Sequence, residues 1–253
     1  MGFGMLANLR KAGLNARGFD IRQIDGVETD IDAFARDLTT VFTVVRDTIE
    51  TDTLLFDVQA LVAKAQNLQR IVISSTLSPK YVKGLRARVP AAIALIDAPM
   101  SGAQIKADAG PLTFMTGGQT AEIMPALRAM GAEIHEMGAF GTGMTAKVLN
   151  NLLAASNTAM TRLVLDWADA QGVDETRLLA LIGTASGQNW LASGFDEIEF
   201  ARDGYAPDNS IGILFKDVAA ALDIAPDDAT NLPYAVQTAI RGLKPRVKAK
   251  GAS

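Results

Sequence analysis

Over the first 140 residues the apolar positions switch repeatedly between a helical and an extended period. Met5–Ala12 repeats apolar residues at helical spacing and stops at Gly13, and Asn15–Asp20 reads as a short strand ending in an acid. Thr40–Val45 is a largely β-branched run, Asp52–Ala65 a helix and Arg70–Ser74 an apolar strand. Pro79–Arg88 is helical, Ile93–Ala98 and Leu112–Thr116 are strands, Ala121–Met130 is a helix and Glu133–Glu136 a last strand. Strands alternating with helices of this size predict an α/β fold, a Rossmann-type doubly wound parallel sheet.

From Gly141 onward the strand signals stop. Helical patterns cover roughly Gly143–Gln171, Asp174–Ala185, a stretch near Ala192–Ala201, Ile211–Ala221 and Pro233–Gly242, with Gly172, Gly187, Gly204 and Pro207 between them. The expected organisation is therefore an α/β domain over 1–140 followed by an all-helical domain over 141–253, with ligands expected in a cleft between them.

The junction carries the most suggestive chemistry. Gly141-Thr142-Gly143 opens a helix in which Lys147 and Asn151 stand four residues apart. That spacing puts an ammonium and a carboxamide on one face, where a small ligand could touch both. A lysine and an asparagine so spaced also describe an ordinary solvated face. Leu149, Leu152, Leu153, Ala154 and Ala155 leave little room for a wide polar face, so the helix is expected to be mostly enclosed, with the lysine paired or functional. Ala146, Ala154, Ala155, Ser156 and Ala159 would allow close helix packing.

Charge and composition narrow the function classes. The net charge of −4 argues against a phosphate-backbone partner, and no run of lysine and arginine marks a nucleic-acid groove. The tail Lys244-Pro245-Arg246-Val247-Lys248-Ala249-Lys250 reads as a frayed, solvated end. With no cysteine and one histidine, disulfides and thiolate catalysis are excluded and a zinc site is not expected. His135, in Glu133-Ile134-His135-Glu136, lacks a partner pattern and reads as a surface residue. No apolar run reaches the length of a membrane span and the N-terminus does not resemble a signal peptide, so the expected setting is cytoplasmic.

Gly2-Phe3-Gly4-Met5-Leu6-Ala7 matches the dinucleotide fingerprint G-x-G-x-x-A, but only Met1 precedes it where a strand is required. Other residues resemble the β-hydroxyacid dehydrogenases, the 3-hydroxyisobutyrate dehydrogenase and tartronate-semialdehyde reductase group related to 6-phosphogluconate dehydrogenase. Met5–Gly13 resembles that family's first helix, and Asp97-Ala98-Pro99-Met100-Ser101-Gly102 its D-A-P-V-S-G-G signature. Gly141–Asn151 resembles its G-x-G-x-x-x-K-x-x-N-N motif, and Leu214-Phe215-Lys216-Asp217 its L-x-K-D motif. On this alignment Gly2 is the last glycine of the family's G-x-G-x-x-G. The family's first strand and first two glycines are then missing, and the chain as written is expected to start at an internal methionine of a longer protein.

The resemblance implies roles residue by residue. Lys147 matches the catalytic lysine, general acid in carbonyl reduction and base in alcohol oxidation; a lysine accepts a proton only in its neutral form, which burial favours. Asn151 matches the substrate-holding asparagine, and Ser101 and Gly102 the substrate-carboxylate loop. Ala103 replaces the usual second glycine there. Gly2, Asp20, Val44, Val45, Thr76 and Lys216 match cofactor-facing positions. Asp20 would accept from a ribose 2′-OH and repel a 2′-phosphate, favouring NAD over NADP, although Arg17 and Arg22 nearby could accept a phosphate. The two valines fit simple core equally well, Lys216 could instead be a surface helix lysine, a reading that Leu214 and Phe215 beside it disfavour, and Trp190 in the segment after Ser186 reads as packing.

The activity implied is hydride transfer between NAD(H) and a small 3-hydroxyacid or its semialdehyde, without a metal, by a homodimer or homotetramer. An imine reductase of the same superfamily is an alternative that Lys147 opposes, because those enzymes generally lack the lysine. A non-catalytic, cofactor-poor fragment is the other.

Overall fold

Ile71, Val72 and Ile73 are all fully buried, yet they do not share a core. Ile71 and Ile73 join Phe34, Leu55, Leu61, Val82 and Leu85, whereas Val72 joins Met5, Ile96, Phe114, Leu127 and Met130. Alternate residues of one strand enter different clusters because the strand is covered on both faces, the condition of a doubly wound sheet. The computed structural model describes residues 1–102, 112–227 and 230–247. The chain divides into two compact units, Met1–Lys147 and Val148–Ser253.

In the first unit the elements run α1 (Gly2–Lys11), α2 (Ile31–Ala35), β1 (Thr40–Thr43), α3 (Thr48–Leu55), α4 (Leu61–Lys64), β2 (Arg70–Ile73), α5 (Pro79–Gly84), β3 (Ala94–Asp97), β4 (Met100–Ser101), β5 (Leu112–Gly117), α6 (Met124–Met130) and β6 (Gly131–Gly138). β1, β2 and β3 are parallel and in register, Thr43 opposite Ile73 and Ile73 opposite Asp97. β5 runs antiparallel to β3 and β4, and β6 parallel to β5, so the sheet is mixed. Pro99, which has no N–H to donate, separates β3 from β4, and its carbonyl accepts from Met115 across the gap.

Local chemistry starts the helices where it is strongest. Asp30, Asp47 and Ser78 cap α2, α3 and α5, and Pro79 follows Ser78 at the first helical position. The single helix expected over Asp52–Ala65 is broken into α3 and α4, with Ala60 in the left-handed region at φ 48°. The break has a packing reason. Leu55 and Leu61 would face about 120° apart on a continuous helix, and the interruption lets both enter the same cluster.

Asn15–Asp20, expected as a strand, is not a strand of the sheet. Phe19 forms an isolated bridge with Glu28, closed by Asp20 N–H to the Glu28 carbonyl and Glu28 N–H to the Gly18 carbonyl. A strand needs a neighbour to complete its ladder, and the described sheet ends at β1.

α7 (Thr142–Ala170) begins in the first unit and continues into the second, which adds α8 (Glu175–Thr184), α9 (Trp190–Ser193), α10 (Ser210–Leu222) and α11 (Leu232–Arg241). The helix expected near Ala192–Ala201 is only the single turn α9, because Gly194 ends it and Phe195 turns into a cluster with Leu165, Leu191 and Ala201. Asp174, Asn189 and Asn209 cap α8, α9 and α10.

The small residues of α7 face inward. Ala155 and Ala159 pack with Ile211, Leu214, Val218, Val236 and Ile240. The expectation that α7 is mostly enclosed does not hold, since Leu149, Leu153, Met160, Leu163 and Trp167 are exposed. Nor is the tail frayed at Lys244–Arg246. The Lys244 carbonyl accepts from Arg162, Arg246 N–H donates to the Arg202 carbonyl, and the Arg246 guanidinium meets Asp166, Asp169 and Glu175. A planar fork of donors finds carboxylates that a flexible lysine tail would leave in water.

Candidate active site

Because β1, β2 and β3 end in register, the segments that follow them begin along one edge, the last of them continuing in the sheet as β4. Val44 and Val45 follow β1, Thr76 lies three residues past β2, and Ser101 and Gly102 come just after β3. In open α/β sheets this carboxyl edge is where ligands bind. Val45 N–H donates to Ser75 Oγ at 2.9 Å, which ties the first two of these segments together. Both valines and Thr76 are half-buried, so neither the core nor the cofactor reading of the valines displaces the other.

Gly2 belongs to the same neighbourhood. A Cβ built on it would stand 3.5 Å from Val44 Cβ. It opens α1, whose first turn has no side-chain cap, so the helix start presents backbone donors beside the edge. That combination of glycine, backbone donors and helix N-terminus fits a dinucleotide phosphate.

Ser101 is half-buried in β4, and Gly102 has φ 140°, a conformation that side chains other than glycine's rarely adopt. Ala103 lies outside the described residues. Asp20 is already engaged. Arg22 donates to both of its oxygens at 3.0 Å and through its backbone N–H at 2.9 Å, and these contacts hold the carboxyl below its ordinary range against a smaller opposing effect of burial. The Arg22 side chain is itself largely exposed, so the pair is loosely held.

On α7, Lys147 is 7% and Asn151 8% exposed. A solvated face is thereby ruled out for both. Asn151 Nδ2 donates to Asp217 Oδ2 at 2.6 Å, and its Oδ1 accepts from Asn150 Nδ2 at 3.3 Å. Asp217, on α10, is itself 2% exposed. The carboxylate fixes which way the amide of Asn151 turns, a role the residue types alone did not disclose; the Lys216-Asp217 pair was the available signal. Lys216 Nζ lies 3.9 Å from Asp217 Oδ1 and is half exposed, which leaves both readings of Lys216 open.

Trp190 is half exposed and packs obliquely on Phe200, with ring centroids 6.0 Å apart. His135 is exposed on β6, as expected of a surface residue. A surface depression lined by Leu95, Gly118, Ala139 and Phe140 gathers no charged side chain. Among the described residues no helix is long and apolar enough to cross a membrane.

Comparison with known proteins gives this arrangement a family. Residues 1–138 match the model for the NAD binding domain of 6-phosphogluconate dehydrogenase, and residues 141–251 that for the NAD-binding region of NADP-dependent 3-hydroxyisobutyrate dehydrogenase. An L-threonate dehydrogenase of Pectobacterium atrosepticum is 29% identical, covering 93% of this chain and 82% of its own. The mitochondrial 3-hydroxyisobutyrate dehydrogenase of Drosophila melanogaster is 30% identical over 92% of this chain and 76% of its own. Among solved structures, the 3-hydroxyisobutyrate dehydrogenase of Mycobacterium tuberculosis with L-serine shares the fold at a TM-score of 0.80 and 24% identity, covering 96% and 92% of the two chains. The chain belongs to the β-hydroxyacid dehydrogenase family, oxidoreductases that use NAD(P).

Proposed function

We propose that this chain oxidises a small hydroxyacid, or reduces the corresponding semialdehyde, with Lys147 as general acid and base. The observation that carries the reading is a buried ammonium and a buried carboxamide one turn apart on α7, inside the family's own lysine-asparagine motif. The nicotinamide, when bound, supplies or accepts the hydride. Lys147 Nζ gives the substrate oxygen a proton in reduction and removes it in oxidation. Asn151, its amide held by Asp217, orients the substrate. Ser101 and Gly102 receive the substrate carboxylate through a hydroxyl and backbone N–H groups, and Ala103 is assigned to substrate binding by its place in the sequence motif alone.

Residues 1–140 serve in this reading as the dinucleotide domain and 141–253 as the helical domain that bears substrate and subunit contacts. Gly2, Val44, Val45 and Thr76 line the nucleotide's path, Lys216 lies toward the nicotinamide, and the protein works in the cytoplasm. NAD is favoured, because Asp20 stays ionised and repels a 2′-phosphate once Arg22 turns aside. Titration with NADH and NADPH, followed by nicotinamide fluorescence, tests this. NADH should bind at least about tenfold more tightly, about 1.4 kcal/mol, and Asp20→Ala should narrow the gap. Equal binding of the two in the unsubstituted chain removes the NAD preference, and no binding of either removes the dehydrogenase reading for the chain as written.

Leu149, Leu153, Met160, Leu163 and Trp167 form one exposed apolar stripe along α7, about 27 Å long at the helical rise. Such a stripe supports a second copy of the chain as its cover, in a homodimer or homotetramer. Leu153→Asp with Trp167→Asp should reduce the sedimenting species to a monomer. A multimer that persists in the double variant moves the contact elsewhere.

A further inference from the structure

Asp97 has no assigned role in substrate or cofactor binding, yet it is completely buried. It ends β3, and its carboxylate reaches the start of α7. Oδ1 accepts from the Gly141 N–H at 2.6 Å, and Oδ2 accepts from the Met144 N–H. These are among the donors that a helix leaves unpaired at its N-terminus. Lys147 follows Met144 by three residues, within the next turn.

A helix start is ordinarily capped by the side chain of the residue just before its first turn. Here the capping position is Gly141, whose carbonyl accepts the first helical bond from Thr145 N–H but which has no side chain to offer, and the hydroxyl of Thr142 donates to the Ala139 carbonyl at 2.7 Å. The cap comes instead from a strand 44 residues away in sequence, so it sets where the helix begins relative to the sheet. The fit is tight on both sides. A Cβ on Gly117 would stand 2.4 Å from Asp97 Oδ1, and one on Gly143 would stand 2.4 Å from the Met115 carbonyl oxygen.

The carboxylate is an expensive way to hold a helix in place. Burial raises the Asp97 carboxyl above its ordinary range, although the Gly141 and Met144 N–H groups and the charge of Lys83 oppose the rise. The folded chain then binds this proton more tightly than the unfolded chain does. Whenever the carboxyl is ionised it therefore costs the fold stability through titration. The two charge-assisted bonds already limit that cost, and they are made only where α7 is held in this position.

We infer that Asp97 is a positioning residue for Lys147: by capping α7 from β3 it fixes the rise and rotation of the helix turn that carries the ammonium. The inference rests on Lys147 being the proton-transfer group.

The test compares Asp97→Asn, Asp97→Ala, Lys147→Ala and Leu61→Ala in the full chain, measuring NADH binding, KM, and kcat per folded molecule. Asp97→Asn keeps the shape but turns a donor toward one of the two N–H groups. It should lose kcat by about 30- to 100-fold, the scale that a misplacement of about 1 Å carries, with NADH affinity and KM held within about threefold. Leu61→Ala, a truncation in the same unit's core, should leave kcat per folded molecule unchanged. If Asp97→Ala fails to fold, Gly143→Ala, which displaces the same helix end by a different route, should reproduce the loss seen in Asp97→Asn. Asp97→Asn with kcat within twofold of the unsubstituted chain, while Lys147→Ala is inactive, overturns the inference and leaves the dehydrogenase reading standing. A loss in Asp97→Asn that only tracks the unfolded fraction also overturns it. Full turnover in Lys147→Ala removes the reading beneath it.

Discussion

Lys147→Ala should lower kcat by about 10²- to 10⁴-fold, the range of a positioned general acid or base, while NADH binding stays close to that of the unsubstituted chain. The lysine is buried on the inner side of α7, so water does not simply replace it as a proton donor. Lys147→Arg separates the two things an ammonium can do. A guanidinium keeps the positive charge but does not give up its proton near neutral pH. If the lysine acts by proton transfer, the arginine variant should be almost as slow as the alanine variant. If charge alone steadies a developing alkoxide, it should recover a substantial part of the rate. Turnover followed at the nicotinamide absorbance, with affinity followed separately by fluorescence, makes the distinction. Undiminished turnover in Lys147→Ala would refute the assignment.

The parts of this site that could be read from sequence are local ones. The β-branched run at Thr40–Val45, the apolar run at Arg70–Ser74 and the glycine start of α7 each follow from a period or a residue's own preference. Lys147 and Asn151 share a face because four residues make one turn, and that face is buried although Leu149 and Leu153, from which an enclosed helix is expected, are exposed. The supports of the site are not local. Asp97 meets Gly141 across 44 residues, and Asn151 meets Asp217 across 66. No period connects such positions. Asn15–Asp20 failed as a strand for the same reason, because its pattern permits a strand while only a neighbour can complete one. Small residues on α7 were legible as close packing but not as packing inward, a direction set by Ile211, Leu214 and Val218 on α10. In each case the missing information was a partner's location.

Glu175→Ala should destabilise the helical unit by about 3 kcal/mol, the lower end of what breaking a buried ion pair costs. Glu175 is 6% exposed and accepts from Arg202 Nη2 at 2.7 Å and from Arg246 Nε at 2.6 Å. Arg246 is nearly as buried, so removing the carboxylate leaves a guanidinium enclosed, although Asp166 and Asp169 still face it and Asp196 still faces Arg202. Those remaining acids keep the cost at the lower end. The same network binds residues 244–246 to the unit through Arg162 and the Arg202 carbonyl, so the tail should become protease-sensitive in the variant. The pH dependence has a definite sign. Burial pushes the Glu175 carboxyl up, but the hydrogen bonds and charges of Arg202 and Arg246 together outweigh it, and the group sits below its ordinary range. A lowered folded-state value means that the unfolded chain binds the proton more readily. The stabilisation is therefore complete above the ordinary glutamate value near 4.3, and it is lost as pH falls through the folded-state value. Urea midpoints measured at neutral pH and again at progressively acid pH should show this loss in the unsubstituted chain and a weaker loss in Glu175→Gln, which keeps the shape without the titration. Identical midpoints for Glu175→Ala and the unsubstituted chain at neutral pH would mean that the outer acids alone hold Arg202 and Arg246.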